Sequence, residues 1–192
     1  MYFRGTLVRD KELVSVAAKR KKKEILKSVP IGERDSYLAD GWQVKSESKY
    51  RITVCKPKES DELFEDQVWR LFSNMGFEEL NADRHFEIWA GEDYQQVDVF
   101  ASDGNHAFVV ECRSSKKKTV ITKKEISAIA DLKKEMTLSI KKHYQKKNLH
   151  VSFLFATQGR RWTEALQWKD DGARIPGEPV QFQRWLSTLL GR

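Results

Sequence analysis

Two acids stand where a short hairpin would bring them together. Asp98 lies in the run Val97-Asp98-Val99-Phe100, and Glu111 in Phe108-Val109-Val110-Glu111-Cys112-Arg113. Both runs are rich in β-branched and aromatic residues, and the turn-forming Ser102-Asp103-Gly104-Asn105 lies between them, the pattern of a β-hairpin. A two-residue turn at Gly104-Asn105 pairs Asp103 with His106, Ala101 with Phe108, and Asp98 with Glu111. Directly opposed residues hold their Cβ atoms about 4.5–5.5 Å apart. Two carboxylates at that separation in an apolar hairpin repel each other unless a cation lies between them. The pair is therefore a candidate metal site. Because side chains alternate along a strand, Glu111 and Arg113 share one face, and Val110 and Cys112 the other.

Other chemistries find less support. His85, His106, His143 and His150 show no zinc-ligand spacing and read as surface or satisfied histidines. Cys112 should point into the packed side of the sheet as an inert thiol. Ser114 and Ser115 lack a His-Asp partner arrangement, and no glycine-rich phosphate loop is present. With only Cys55 and Cys112 in the chain, neither a disulfide framework nor a cysteine-rich zinc site is in view.

The elements that must carry these residues can be read in order. Tyr2–Val8 looks strand-like, and 11–27 reads as a helix with Leu13, Val16, Ala17 and Ile25 on one face, stopped by Pro30 and Gly32. The run Lys19-Arg20-Lys21-Lys22-Lys23 is either a solvated helix face, a patch for a phosphate backbone, or a localisation signal. An alternating strand at residues 50–54 closes at Lys56-Pro57-Lys58. Residues 1–58 are expected to be a basic appendage or linker, and 59–192 the main domain.

A helix then begins near Ser60 and ends at Gly76, with Phe64, Val68, Leu71, Phe72 and Met75 as its buried stripe. Glu65 and Trp69 lie beside that stripe. One or two short strands follow in 77–90, with Phe86, Ile88 and Ala90 on one face, and Gly91-Glu92-Asp93 turns the chain toward the hairpin. Lys116-Lys117-Lys118 reads as a loop. Thr122 and Glu125 form a capping-box pattern for a long helix. Ile126, Ile129, Ala130, Met136, Ile140 and Tyr144 fall on one side of it, and Lys123, Lys124, Lys134, Lys141 and Lys142 on an adjacent one. Residues 149–156 are nearly all apolar, as in a central strand buried on both faces. Thr157-Gln158-Gly159-Arg160-Arg161 follows at its end, where α/β proteins place ligand contacts. A helix at 162–168, a loop at 170–179 and a last helix at 181–190 complete the chain.

Helix, three strands, helix, strand, with Phe64-Glu65, Met75-Gly76-Phe77, Val97-Asp98 and Val110-Glu111-Cys112-Arg113 at their places, resembles the PD-(D/E)xK nuclease superfamily. The likeness covers roughly residues 60–160 and is similar to Mrr-type restriction endonucleases and Holliday-junction resolvases. It implies a restriction-endonuclease-like α/β sandwich with a mixed central sheet, and hydrolysis of DNA phosphodiester bonds in restriction, defence or repair. Asp98 and Glu111 would hold Mg²⁺ or Mn²⁺, which polarises the phosphate and acidifies water. Glu65 matches a helix glutamate that in such nucleases often reaches the metal site, although a boundary glutamate in a surface salt bridge fits the same position. The family lysine is Arg113 here. A guanidinium can supply charge and hydrogen bonds but stays protonated and cannot act as a base. Lys116, Lys117, Lys118, Lys123, Lys134, Lys141, Arg160 and Arg161 are the candidates for DNA contact, on duplex or branched substrates, and a homodimer is compatible.

Composition sets the outer bounds. A length of 192 residues allows a sizeable core, and six Trp with ten Phe argue against disorder over most of the chain. A net charge of +7 favours a polyanionic partner. Neither a secretory leader nor an apolar run of membrane-spanning length is evident, so a cytoplasmic location is expected. Besides the nuclease, the sequence admits a nuclease-derived module that binds DNA without cutting, marked by Arg113, and a basic assembly domain in which the acids serve only the fold.

Overall fold

The computed structural model describes the backbone of residues 1–120 and 123–161, and the side chains of 1–115 and 132–158. The expected capping residue Thr122 and the elements expected in 162–190 lie outside the described residues.

The fold centres on a five-stranded mixed sheet. Its strands, in spatial order, are β11 (His150–Arg161), β10 (His106–Val120), β9 (Val99–Ser102), β6 (Glu79–Asn81) and β2 (Leu7–Arg9). All neighbours are antiparallel except β10 and β11, which run parallel. A parallel neighbour needs a crossover, and α4 (Lys123–Tyr144) supplies it. The β9–β10 register pairs Ala101 with Phe108 and Val99 with Val110, as the two-residue turn requires. Asp103 holds that turn: its amide donates to the His106 carbonyl at 3.1 Å, and its Oδ1 accepts the amides of Asn105 and His106. Gly104 sits at φ +83°, a conformation that disfavours residues with a Cβ.

Alternation along these strands splits the core into two layers. One holds Val8, Leu80, Val99, Ala101, Phe108, Val110, Cys112 and Leu154 under α3 (Ser60–Asn74) and α1 (Asp10–Arg20). The other holds Val97, Phe100, Ala107, Val109 and Phe153 under Met136 and Ile140 of α4. That second layer also takes Phe3 and Ile88 from a separate sheet of β1 (Phe3–Arg4), β7 (Glu87–Trp89) and β8 (Tyr94–Gln96), with Phe86 and Ala90 flanking β7. α3 forms as its sequence implies. The capping box is Glu59 with Glu62, one residue before the expected cap, and Gly76 follows the helix at φ +87°. Phe64, Val68 and Phe72 are buried and Trp69 is fully so, each such side chain worth about 1.5–3 kcal/mol of transfer free energy.

Four expectations need correction. The first helix stops at Arg20, not at 27, because Lys19 and Arg20 suit its negative C-terminal end. Past them Ile25 belongs to β3 (Glu24–Pro30), whose pairing with β5 (Arg51–Pro57) puts Ile25 opposite Lys56. Residues 1–58 are also not of one kind. Residues 3–20 give β1, β2 and α1 to the main body. Residues 24–57 form a second small sheet, β3-β5-β4, with β4 (Gln43–Glu47) and the short α2 (Arg34–Ala39). Its own core is Val29, Ile52 and Val54, packed by Tyr37, Trp42 and Val44.

Third, Lys116-Lys117-Lys118 is strand rather than loop. Parallel pairing with β11 continues past Ser114, through an irregularity where residues 115–118 stand opposite residue 159 alone. Last, β11 is an edge strand of the described sheet, not a central one, and it runs on through Arg160 and Arg161, which pair with Thr119 and Val120. Phe153 and Leu154 do face opposite layers, because both layers extend over that edge.

Candidate active site

Asp98 immediately precedes β9 and is held from two sides. Asn81, fully buried, donates through Nδ2 to the Asp98 carbonyl at 3.1 Å, while its Oδ1 accepts the Phe100 amide at 3.0 Å. The Asp98 carboxylate accepts the Cys112 amide at 2.7 Å. That bond locks the side chain against β10 between Glu111 and Arg113. Cys112 itself turns into the core, where burial pushes its thiol well above the ordinary value. The inert reading of that thiol fits.

Glu111 lies on the opposite face, mostly buried, with its Oε1 paired to Arg113 Nη1. Arg113 also donates to the Cys112 carbonyl at 3.2 Å. Glu65 joins from α3, its Oε2 accepting Arg84 Nε at 2.9 Å. Of the two alternatives for Glu65 the ion pair is present, and its carboxyl also feels the charge of Asp98. Burial, then the Asp98 charge, pushes the carboxyls of Glu65 and Glu111 up to about 7, against the pull of Arg84 and Arg113 respectively. Asp98 is raised too, chiefly by burial, in spite of the Cys112 amide.

Three desolvated carboxylates that repel one another would be stabilised by a nearby divalent cation. Among the described residues, no three His, Cys, Asp or Glu side chains converge closely enough to enclose an ion. The pair Asp98 and Glu111, with Glu65 behind it, is what the fold offers.

These shifts carry a pH dependence. In the unfolded chain both glutamates titrate near 4.5 and in the fold near 7. The native state thus holds more protons between those values, and stability falls as pH rises through 7. Urea unfolding without divalent ions should show the protein more stable at pH 5 than at pH 8. The pair should supply on the order of 3 kcal/mol of that difference, after a discount for its partial exposure to water. Glu65→Gln with Glu111→Gln should flatten it. An unchanged difference in the double variant would place its origin elsewhere.

The residues that fix Glu65 have no local signature in the sequence. Next to it on α3, Asp66 is buried and accepts from three cations: Arg20 at 2.9 Å, Lys58 at 2.7 Å and Arg84 at 2.8 Å. Arg84 also reaches the Glu62 carbonyl at 3.0 Å, so one guanidinium ties Glu62, Glu65 and Asp66 together. The one available signal is Glu62, Glu65 and Asp66 spaced i, i+3, i+4 on a helix, an acidic face that demands cations from elsewhere.

The expected contacts for DNA are dispersed. Lys134 is exposed and Lys141 half-buried on α4. Lys116, Lys117 and Lys118 lie on β10, Lys123 begins α4, and Arg160 and Arg161 end β11; the side chains of these six lie outside the described set. Comparison of the chain with protein-family models, with curated proteins and with solved structures returns no match.

Proposed function

We propose that this protein is a metal-dependent nuclease of the PD-(D/E)xK kind that hydrolyses DNA phosphodiester bonds. The observation that carries the reading is the β9–β10 register. It sets the Asp98 carboxylate on the Cys112 amide, between Glu111 and Arg113, while Glu65 enters from the preceding helix. With β7 and β8 of the separate sheet set aside, the order α3, β6, β9, β10, α4, β11 supports it, being helix, three strands, helix and a strand parallel to the third.

On this reading Asp98 and Glu111 would hold the ion, and Glu65 would add negative charge near them. Bound Mg²⁺ or Mn²⁺ would polarise the phosphate and acidify an attacking water. Asn81 and the Cys112 amide keep Asp98 oriented. Arg113 neutralises Glu111 before substrate arrives, and with substrate bound can donate to a phosphate oxygen where negative charge develops. Its guanidinium does not accept a proton, so the water's proton leaves by another route.

Cleavage of linear, supercoiled and branched DNA with Mg²⁺ or Mn²⁺ tests the proposal, with Asp98→Asn as the inactive control. Binding of Mn²⁺ should also raise the unfolding temperature of the wild type by linkage, and raise that of Asp98→Asn less. Equal thermal shifts in the two proteins would remove Asp98 from any metal site.

One observation favours a second reading, a DNA-binding module that cuts weakly or not at all. Arg113 replaces the family lysine and is engaged by Glu111. On that reading the wild type binds DNA without cutting it.

A further inference from the structure

Residues 21–58 stand on the main body as a unit with its own sheet and its own small core. We propose that this unit is the surface that grips the sugar–phosphate backbone of a nucleic acid. The proposal deepens the nuclease reading, and rests on it for the identity of the polyanion.

Charge is the first observation. Between residues 21 and 58 the chain carries ten Lys and Arg against five Asp and Glu. That excess of five is most of the net charge of +7 of the whole protein, and the remaining residues sum to +2. Within the unit Lys45 is engaged by Glu24 at 2.6 Å and Arg34 by Glu47 at 3.6 Å. Lys21, Lys22, Lys23 and Lys49 are exposed and make no ion pair with the described residues.

Placement is the second. Lys21, Lys22 and Lys23 precede β3 at the base of the sheet, whereas Lys49 lies in the β4–β5 turn at its tip, where the Ile31 amide meets the Tyr50 carbonyl at 3.1 Å. A seven-residue strand separates the two ends, a span of about 20 Å. A single small anion cannot touch both. Phosphates recur about every 3.4 Å of axis along each strand of a duplex, so a polymer backbone can.

The tip supplies the third. Tyr50 is 70% exposed, sits between Lys49 and Arg51, and has Lys49 Nζ at 5.2 Å from its ring centre. An exposed aromatic between two cations is an arrangement that suits a base or sugar beside a phosphate.

The unit is also tied to the acids. Arg20 and Lys58, which flank the small sheet, both pair with the buried Asp66, and Arg84 joins Asp66 to Glu65. A strand held by the unit is thereby held in a fixed relation to Glu65, and through it to Asp98 and Glu111.

The test is binding of a labelled DNA duplex in EDTA, as a function of salt. The full-length variant Lys21→Gln, Lys22→Gln, Lys23→Gln, Lys49→Gln should bind about tenfold or more weakly at low salt. Its log–log salt slope should be shallower by about 0.9 for each phosphate that the variant no longer neutralises. The matching four-fold Lys→Arg variant should keep both values, and both variants should melt like the wild type. An unchanged slope in the Gln variant, or a slope carried wholly by Lys134 and Lys141, would overturn the assignment. So would preferential binding of phosphatidylserine vesicles over DNA, abolished in the same variant. Binding that maps to the unit without cleavage of any substrate sinks the nuclease and leaves the grip. Cleavage with undiminished binding in the Gln variant does the reverse.

Discussion

Replacing Asp66 by alanine is expected to destabilise the fold by about 3–5 kcal/mol. The reason lies in what would be left behind. Arg20 and Lys58 have side chains only 6% exposed, and Asp66 is the acid that both pair with. Burial already lowers the pKa of the Arg20 guanidinium, and its Nε has no hydrogen-bond partner among the described residues. Arg20 also lies over the ring of the fully buried Trp69, at 5.0 Å from its centre, so it cannot swing into water without opening the core. Without the carboxylate, two buried cations face each other with no counterion.

Asp66→Asn keeps the shape and some acceptor capacity but removes the charge, and should fall between wild type and alanine. Adding Arg20→Met and Lys58→Met to Asp66→Asn should recover part of the deficit, because removing a whole buried charge group is milder than removing one partner. Urea denaturation of the set measures this. A deficit below about 1 kcal/mol for Asp66→Ala would mean that the three cations do not depend on that carboxylate.

A second large effect is expected at Arg113. If the protein cuts DNA, Arg113→Ala should slow cleavage on the order of a hundredfold or more, because developing charge is no longer stabilised. Arg113→Lys should keep or raise the rate, since an ammonium restores the family motif and can neutralise the same region. Metal-free DNA binding should change far less in either variant. If instead the wild type binds without cutting, Arg113→Lys would be the variant to recover weak Mn²⁺-dependent cleavage. An Arg113→Ala protein that cuts as fast as the wild type has no catalytic use for this side chain, and the motif assignment on β10 fails with it.

What the sequence discloses follows from local rules. The β9–β10 register is readable because the turn residues and the alternation agree, and that alone sets Asp98 against β10. The stripe of α3 is readable from Phe64, Val68 and Phe72, and the long crossover helix from its own periodicity. Of the small sheet only the central strand is, from the alternation over residues 50–54. The sheet's first strand carries Ile25, Lys27 and Val29 on one face, with lysine in the middle, directly after a basic run that mimics a continuing helix. Strand β8 is hidden because Tyr94–Gln96 is three residues long and largely polar. The ion cluster around Asp66 lies further out of reach. Its members come from positions 20, 58, 66 and 84, and only the pairing of β2 with β6 and the packing of α1 on α3 bring them together. Long-range charge pairing is a product of topology, and no local spacing encodes it.

The way the small sheet is wired into the chain has a consequence for descent and for engineering. Its first and last strands leave and return side by side, with Glu24 paired to Pro57 and the Lys58 amide on the Lys23 carbonyl at 2.9 Å. An excursion whose two ends already touch adds little loop-closure entropy to the host and can change length or sequence with few repercussions. Residues 24–57 therefore have the wiring of an exchangeable cassette. Arg20 and Lys58 stay behind with the host as its socket. Shortening the cassette to a tight turn, or grafting another small sheet between the same two points, are changes this architecture is built to accept.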